Sequence, residues 1–148
     1  MPALETFLAY AADFETTLVD DDWARLAPYF HDDAVYRVES NLFGCELHGP
    51  AAIFAGLKKS LDGFDRRFSG REISLTEGPH AEGDELRAAW TVTYTREGLP
   101  PFVLRGRSFC RVRDDRIDCL VDAYDDAVAG EISAWIRQTG ESLDPSYV

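Results

Sequence analysis

Asp122 is the residue of this 148-residue chain best placed to do chemistry. In the run R-I-D-C-L-V-D-A-Y (Arg116–Tyr124) it shares strand parity with Leu120 and Tyr124. An aliphatic and an aromatic side chain would then flank it on one face of a sheet. A carboxyl in such surroundings loses the water that favours its charged form, so its pKa rises and it can give or take a proton near neutral pH. His48, in L-H-G-P ahead of a helix start, is the second candidate. It is either an acid/base or hydrogen-bond donor at a pocket mouth, or a helix-entry residue bonded to nearby backbone. The doublets Asp32-Asp33, Asp114-Asp115 and Asp125-Asp126 fall at element boundaries and read as turns and caps. Neither the three histidines nor the three cysteines show metal-ligand spacing, and there is no CxxC, so neither a metal site nor a cofactor is expected.

Fifteen Lys and Arg against 27 Asp and Glu give a net charge of −12, which argues against nucleic acid and against anionic membranes as partners. Hydrophobic residues at 45% and aromatics at 12% describe a folding chain, not a disordered one, and the length suits a single domain. No apolar run is long enough to span a bilayer. The first nineteen residues carry Glu5, Asp13 and Glu15 but no Lys or Arg, the wrong charge for a signal peptide, so a cytoplasmic protein is expected.

The elements that must position these residues can be read from periodicity. Leu4, Phe7, Leu8, Ala11, Phe14 and Leu18 make a helical stripe over Ala3–Leu18. Asp22 offers an N-cap for a second helix from Trp23, short or kinked because of Pro28, with Trp23 and Phe30 packing between helices. Ala34–Glu39 alternates like a strand, Ser40–Gly49 is irregular, and Gly49-Pro50 opens a third helix bearing Ile53, Phe54, Leu57 and Leu61. Strands are expected over Arg67–Thr76, Glu85–Arg96, Phe102–Arg113 and Arg116–Tyr124, then a last helix, about 127–139, ending at Gly140. Helices followed by a meander predict an α+β domain with helices laid on one face of an antiparallel sheet.

This order resembles the nuclear-transport-factor-2-like superfamily, and more narrowly the SnoaL-like polyketide cyclases and ketosteroid isomerases. The resemblance rests on D-D-W-A-R-L-A-P-Y-F-H-D-D-A-V-Y (Asp21–Tyr36), L-H-G-P-A-A-I (Leu47–Ile53), W-T-V-T-Y (Trp90–Tyr94) and R-I-D-C-L-V-D-A-Y, and runs to about Asp126. It implies one SnoaL-like domain over 1–148, with a core over about 3–126. It also implies a cone-shaped, cystatin-like fold whose curved sheet wraps the N-terminal helices around an apolar pocket. Family members usually pair through the sheet, so a homodimer is expected. Strand parity then points Trp90, Val92 and Tyr94 into the cone, with Leu104, Gly106, Ser108, Cys110 and Val112 beside them. Cys110 reads as a small hydrophobe there, with no histidine or cation evident beside it.

Against the isomerase pattern three positions are lost: Phe14 stands where an oxyanion-binding Tyr would be, Val38 where the base Asp would be, and Ser108 where a second acid would be. The cyclases, by contrast, use a carboxylate as acid/base with few other groups. A two-residue turn at Asp114-Asp115 with unbroken alternation would put Cys119 and Val121 inside and Asp122 outside. The family's R-I-x-x-L spacing (Arg116, Ile117, Leu120) implies instead a bulge near Asp118-Cys119 that turns Asp122 inward.

The expected site is therefore Asp122 and His48 for chemistry. Phe14, Tyr36, Val38, Phe54, Trp90, Tyr94, Leu104, Ser108, Cys110 and Tyr124 would contact a small hydrophobic ligand. Three functions stay open. One is a cofactor-free lyase, isomerase or cyclase acting on an aromatic or polyketide-like molecule. Another is a non-catalytic binder of an apolar ligand. The third is a structural module like the small subunit of ring-hydroxylating oxygenases, which the Arg- and Thr-rich outer face (Thr91, Thr93, Arg105, Arg107) does not obviously equip for docking.

Overall fold

In the computed structural model, which describes residues 3–148, helix α1 (Ala3–Asp20) buries a different stripe from the one its leucines mark. Ala3, Thr6, Tyr10 and Thr17 are buried, whereas Leu8 stays 46% exposed. The Tyr10 ring sets this rotation: it meets Phe30 edge-on at 5.4 Å and also packs against Phe14 and Tyr29. The expected second helix is two single 3-10 turns, Trp23–Arg25 and Ala27–Tyr29, broken at Leu26 ahead of Pro28. Phe30 is the first residue of a strand, and Trp23 packs on Phe54 and Phe14.

Six strands form one sheet in the order β2-β1-β6-β5-β4-β3. They are β1 (Phe30–Glu39), β2 (Cys45–His48), β3 (Gly70–Glu82), β4 (Glu85–Thr95), β5 (Phe102–Arg113) and β6 (Arg116–Ala123). All neighbours are antiparallel except β1 and β6, which run parallel. Three boundaries differ from the sequence reading. β1 starts at Phe30 and not at Ala34, so Asp32-Asp33 lies within a strand and is neither a turn nor a cap. The stretch taken as irregular contains β2, an edge strand four residues long and too short for its alternation to stand out. Gly78-Pro79 does not end β3: the ladder is irregular there but resumes, and the hairpin turns at Gly83-Asp84.

Helix α2 (Pro50–Gly63) starts with Pro in its first turn, and α3 (Asp126–Thr139) is capped by Asp125, whose side chain accepts from the Val128 N–H. Gly140 closes α3 in the left-handed conformation at φ 72°. Tyr36, Phe30, Ile53, Leu86 and Ile117 fill the core at 0–1% exposure, each stabilising by roughly 1.5–3 kcal/mol through burial. The chain after α3 folds back over α2, where Ser60 Oγ donates to the Pro145 carbonyl and the Asp144 N–H donates to that of Gly63. Among the described residues no helix is long and apolar enough to cross a membrane.

Candidate functional site

The face of β6 that meets the helices is decided by one extra residue. Val112 pairs with Ile117 but Arg111 pairs with Cys119, so Asp118 is left over as a bulge. Its carboxylate lies outside, accepting from Arg111 Nε at 2.9 Å and Arg113 Nε at 3.2 Å. Downstream of it Leu120 and Asp122 face inward, opposite Cys110 and Ser108.

The inward face borders a cavity of about 540 Å³ between α1, α2 and the sheet, walled mostly by apolar side chains, aliphatic and aromatic. Asp122 is in its wall and keeps some accessible surface. Both carboxylate oxygens are held: Tyr36 donates its hydroxyl to Oδ2 at 2.6 Å, and Ser108 donates to Oδ1 at 2.6 Å. Trp90 Nε1 donates to Ser108 Oγ at 2.9 Å, which orients that hydroxyl towards the acid. Burial pushes the Asp122 carboxyl above its ordinary value, and the two hydroxyl donors partly offset this. Trp90 can lie in this position because its partner across the ladder is Gly106, where a Cβ would come within 2.5 Å of the indole ring.

Tyr10 and Tyr124 also line the cavity, and no hydrogen bond reaches either hydroxyl from the described residues. Burial, then the Asp122 charge among others, raises the Tyr10 phenol well above its usual range, so it stays a proton donor. A second polar group in the wall joins Asp65, Arg71, Glu15 and Tyr94. Arg71 Nε donates to Asp65 Oδ2 at 2.8 Å, and Tyr94 donates to the same oxygen at 2.9 Å. Arg71 Nη1 reaches both oxygens of Glu15 at 2.8 and 2.7 Å, tying β3 to α1.

Of the residues singled out from sequence, Asp122, Phe14, Tyr36, Trp90, Tyr94, Leu104, Ser108 and Tyr124 come together in this wall. Four do not. His48 is on the exposed face of β2 and pairs with Glu46 at 3.0 Å, because alternation in that strand turns Cys45 and Leu47 inward instead. Phe54 is spent between Trp23 and Phe30. Val38 and Cys110 are buried in the core at 3% and 0% exposure, outside the cavity wall. Burial pushes the Cys110 thiol up to about 12, that of an inert hydrophobe.

Tyr10, Asp65, Arg71 and Tyr147 are wall residues that periodicity did not reveal. Tyr10 carried a usable signal, since it lies one helical turn from both Thr6 and Phe14. Asp65 sits in the connection between α2 and β3, Arg71 is a charged residue near the start of β3, and Tyr147 lies beyond the last helix, so no pattern marks any of them as facing a cavity.

The SnoaL-like domain family matches over residues 11–119, and the chain belongs to that family. The architecture is that of nuclear-transport-factor-2-like proteins. Among solved structures, TerC co-crystallised with polyporic acid superposes with a TM-score of 0.66 at 20% identity, over 93% of this chain and 99% of that one. An epoxide hydrolase of the LEH-like type from M. tuberculosis superposes with a TM-score of 0.60 at 18% identity, covering 92% and 93%. A proposed polyketide cyclase from Pseudomonas putida gives 0.57 at 22%, covering 87% and 97%. No curated protein sequence matches the chain.

Proposed function

We propose that this protein is an acid–base enzyme that isomerises, dehydrates or cyclises a small, mostly apolar aromatic molecule held in the cavity. The observation that carries this reading is Asp122: a carboxyl raised by burial in an apolar wall and gripped at both oxygens by Tyr36 and Ser108. It exchanges the proton at the substrate. The hydroxyls of Tyr10 and Tyr124, free of protein partners among the described residues, are positioned as donors to substrate oxygen. Neighbours described as an epoxide hydrolase and a proposed polyketide cyclase, and one co-crystallised with polyporic acid, are consistent with a small-molecule ligand.

The cavity wall also contains no histidine among the described residues, and its other carboxylates, Asp65 and Glu15, are bound to Arg71. That observation favours a second reading, a carrier of the same ligand class without turnover. One experiment separates them. Asp122→Asn, assayed on hydroxylated aromatic ketones and epoxides, is expected to lower turnover by roughly 10²–10⁴-fold while binding persists. Binding by the native protein with no turnover of any of these would instead establish the carrier.

A further inference from the structure

The Arg71 group shares no hydrogen bond with the Asp122 group, yet both are in the wall of one cavity. Arg71 is 15% exposed and uses two of its three nitrogens: Nε on Asp65 and Nη1 on Glu15. Its third nitrogen, Nη2, makes no hydrogen bond to any described residue, and neither does Asp65 Oδ1. A guanidinium stays protonated under all ordinary conditions, so Nη2 is a permanent donor on a largely apolar wall. Nη2 and Asp65 Oδ1 are not sealed from solvent, since among the described residues Thr6 Oγ1 alone is a fully buried side-chain N or O without a partner, so a ligand oxygen or hydroxyl can take the place of water at both.

The charge around it decides which oxygen. Arg71 already faces two carboxylates, Asp65 and Glu15, so the ionised group of three carries a net negative charge. Asp122 lies in the same wall. A carboxylate or phosphate would enter against that charge, whereas a neutral carbonyl needs only the donor. The remainder of the wall, in which rings such as Trp90, Tyr124 and Phe64 alternate with aliphatic side chains, suits an apolar body with flat faces.

We propose that Arg71 Nη2 is a specificity determinant that binds the carbonyl oxygen of a neutral, planar aromatic ketone or quinone. Asp65 Oδ1 accepts from a hydroxyl beside that carbonyl. This rests on the reading of the cavity as a small-molecule site. It narrows the ligand class from any apolar molecule to one with a neutral carbonyl held away from the proton-transferring acid.

The test uses three probes of similar size on the full chain: 1-indanone, indane and the anion of indane-5-carboxylic acid. Dissociation constants are measured by amide NMR titration. In the native protein 1-indanone is expected to bind more tightly than the carboxylate. In the double variant Arg71→Met/Glu15→Gln, which keeps the group's net charge, the preference for 1-indanone over indane is expected to fall roughly tenfold. Should that variant fail to fold, the Arg71 side-chain N–H resonances of the native protein carry the test: 1-indanone is expected to shift them and indane to leave them in place. An unchanged preference in a folded double variant, Arg71 resonances indifferent to 1-indanone, or tightest binding by the carboxylate overturns the Arg71 role and leaves the cavity reading standing. Failure of all three probes to bind overturns the cavity reading and this inference with it.

Discussion

The Tyr36 hydroxyl reaches Asp122 Oδ2 from two residue pairs away along a parallel ladder, since Tyr36 lies opposite Leu120 and Val38 lies opposite Asp122. The phenol is fully buried, and burial followed by the Asp122 charge raises its pKa well above the ordinary value. Its proton therefore stays on the phenol, and the pair acts as a fixed donor to a variable acid.

Tyr36→Phe removes a bond that lowers the Asp122 pKa, so that pKa is expected to rise further. The acid limb of any pH–rate profile then moves to higher pH. The lost bond leaves a buried acceptor half-satisfied, and the variant is expected to be less stable by about 1–3 kcal/mol. Carboxyl NMR titration and thermal melts check the two halves separately.

Asp122 also sets a pH dependence of stability. Its native pKa is raised above the unfolded value, so its favourable contribution is complete below the ordinary aspartate range and is lost as pH climbs through the native value. Asp122→Asn has no proton to lose there. The stability difference between variant and native protein is expected to grow in the variant's favour from pH 4 upward, then level off. Denaturant melts across that range measure it, and a difference independent of pH would count against a buried acid.

Gly106→Ala puts a methyl group where the Trp90 ring lies, within 2.5 Å of its atoms. The indole must shift, and its bond to Ser108 breaks with it. Overpacking of this kind typically destabilises by about 1–3 kcal/mol. A changed tryptophan emission together with weaker ligand binding is the expected signature. Wild-type emission and affinity would show that the ring is mobile enough to yield.

Tyr147 closes the wall from the C-terminal segment, packing its ring against Tyr36 at 5.8 Å. Tyr147→Ala is expected to destabilise by about 2–4 kcal/mol and to widen the cavity, so that larger probes gain affinity over smaller ones. Calorimetric melts and a probe-size series read both effects.

Much of this architecture was legible because long strands announce themselves. Phe102–Arg113 alternates buried and exposed along most of its length, and its face could be assigned from spacing alone. The bulge at Asp118 was legible only through family spacing, since either register buries apolar side chains. Helix α1 misled because its leucines mark one stripe, yet one aromatic contact, Tyr10 on Phe30, goes with burial of the neighbouring stripe of Ala3, Thr6, Tyr10 and Thr17. The Arg71 group was invisible because its members, Glu15, Asp65, Arg71 and Tyr94, come from four separate elements and only folding brings them together.

The bulged residue makes β6 a strand with two self-consistent messages. With Asp118 bulged out, Leu120 and Asp122 face inward; were Asp118 to enter the ladder opposite Arg111, every later residue would slip by one, and Cys119 and Val121 are apolar enough to be accepted inside. The strand would survive that slip with a cavity stripped of its acid. Asp118 is 12% exposed and accepts from both Arg111 and Arg113, contacts that favour the bulged register. Deleting residue 118 would straighten the ladder and still leave Asp122 opposite Ser108. Whether the ligand meets a carboxyl or a thiol is thus a matter of register along β6, settled four residues away from the reactive group.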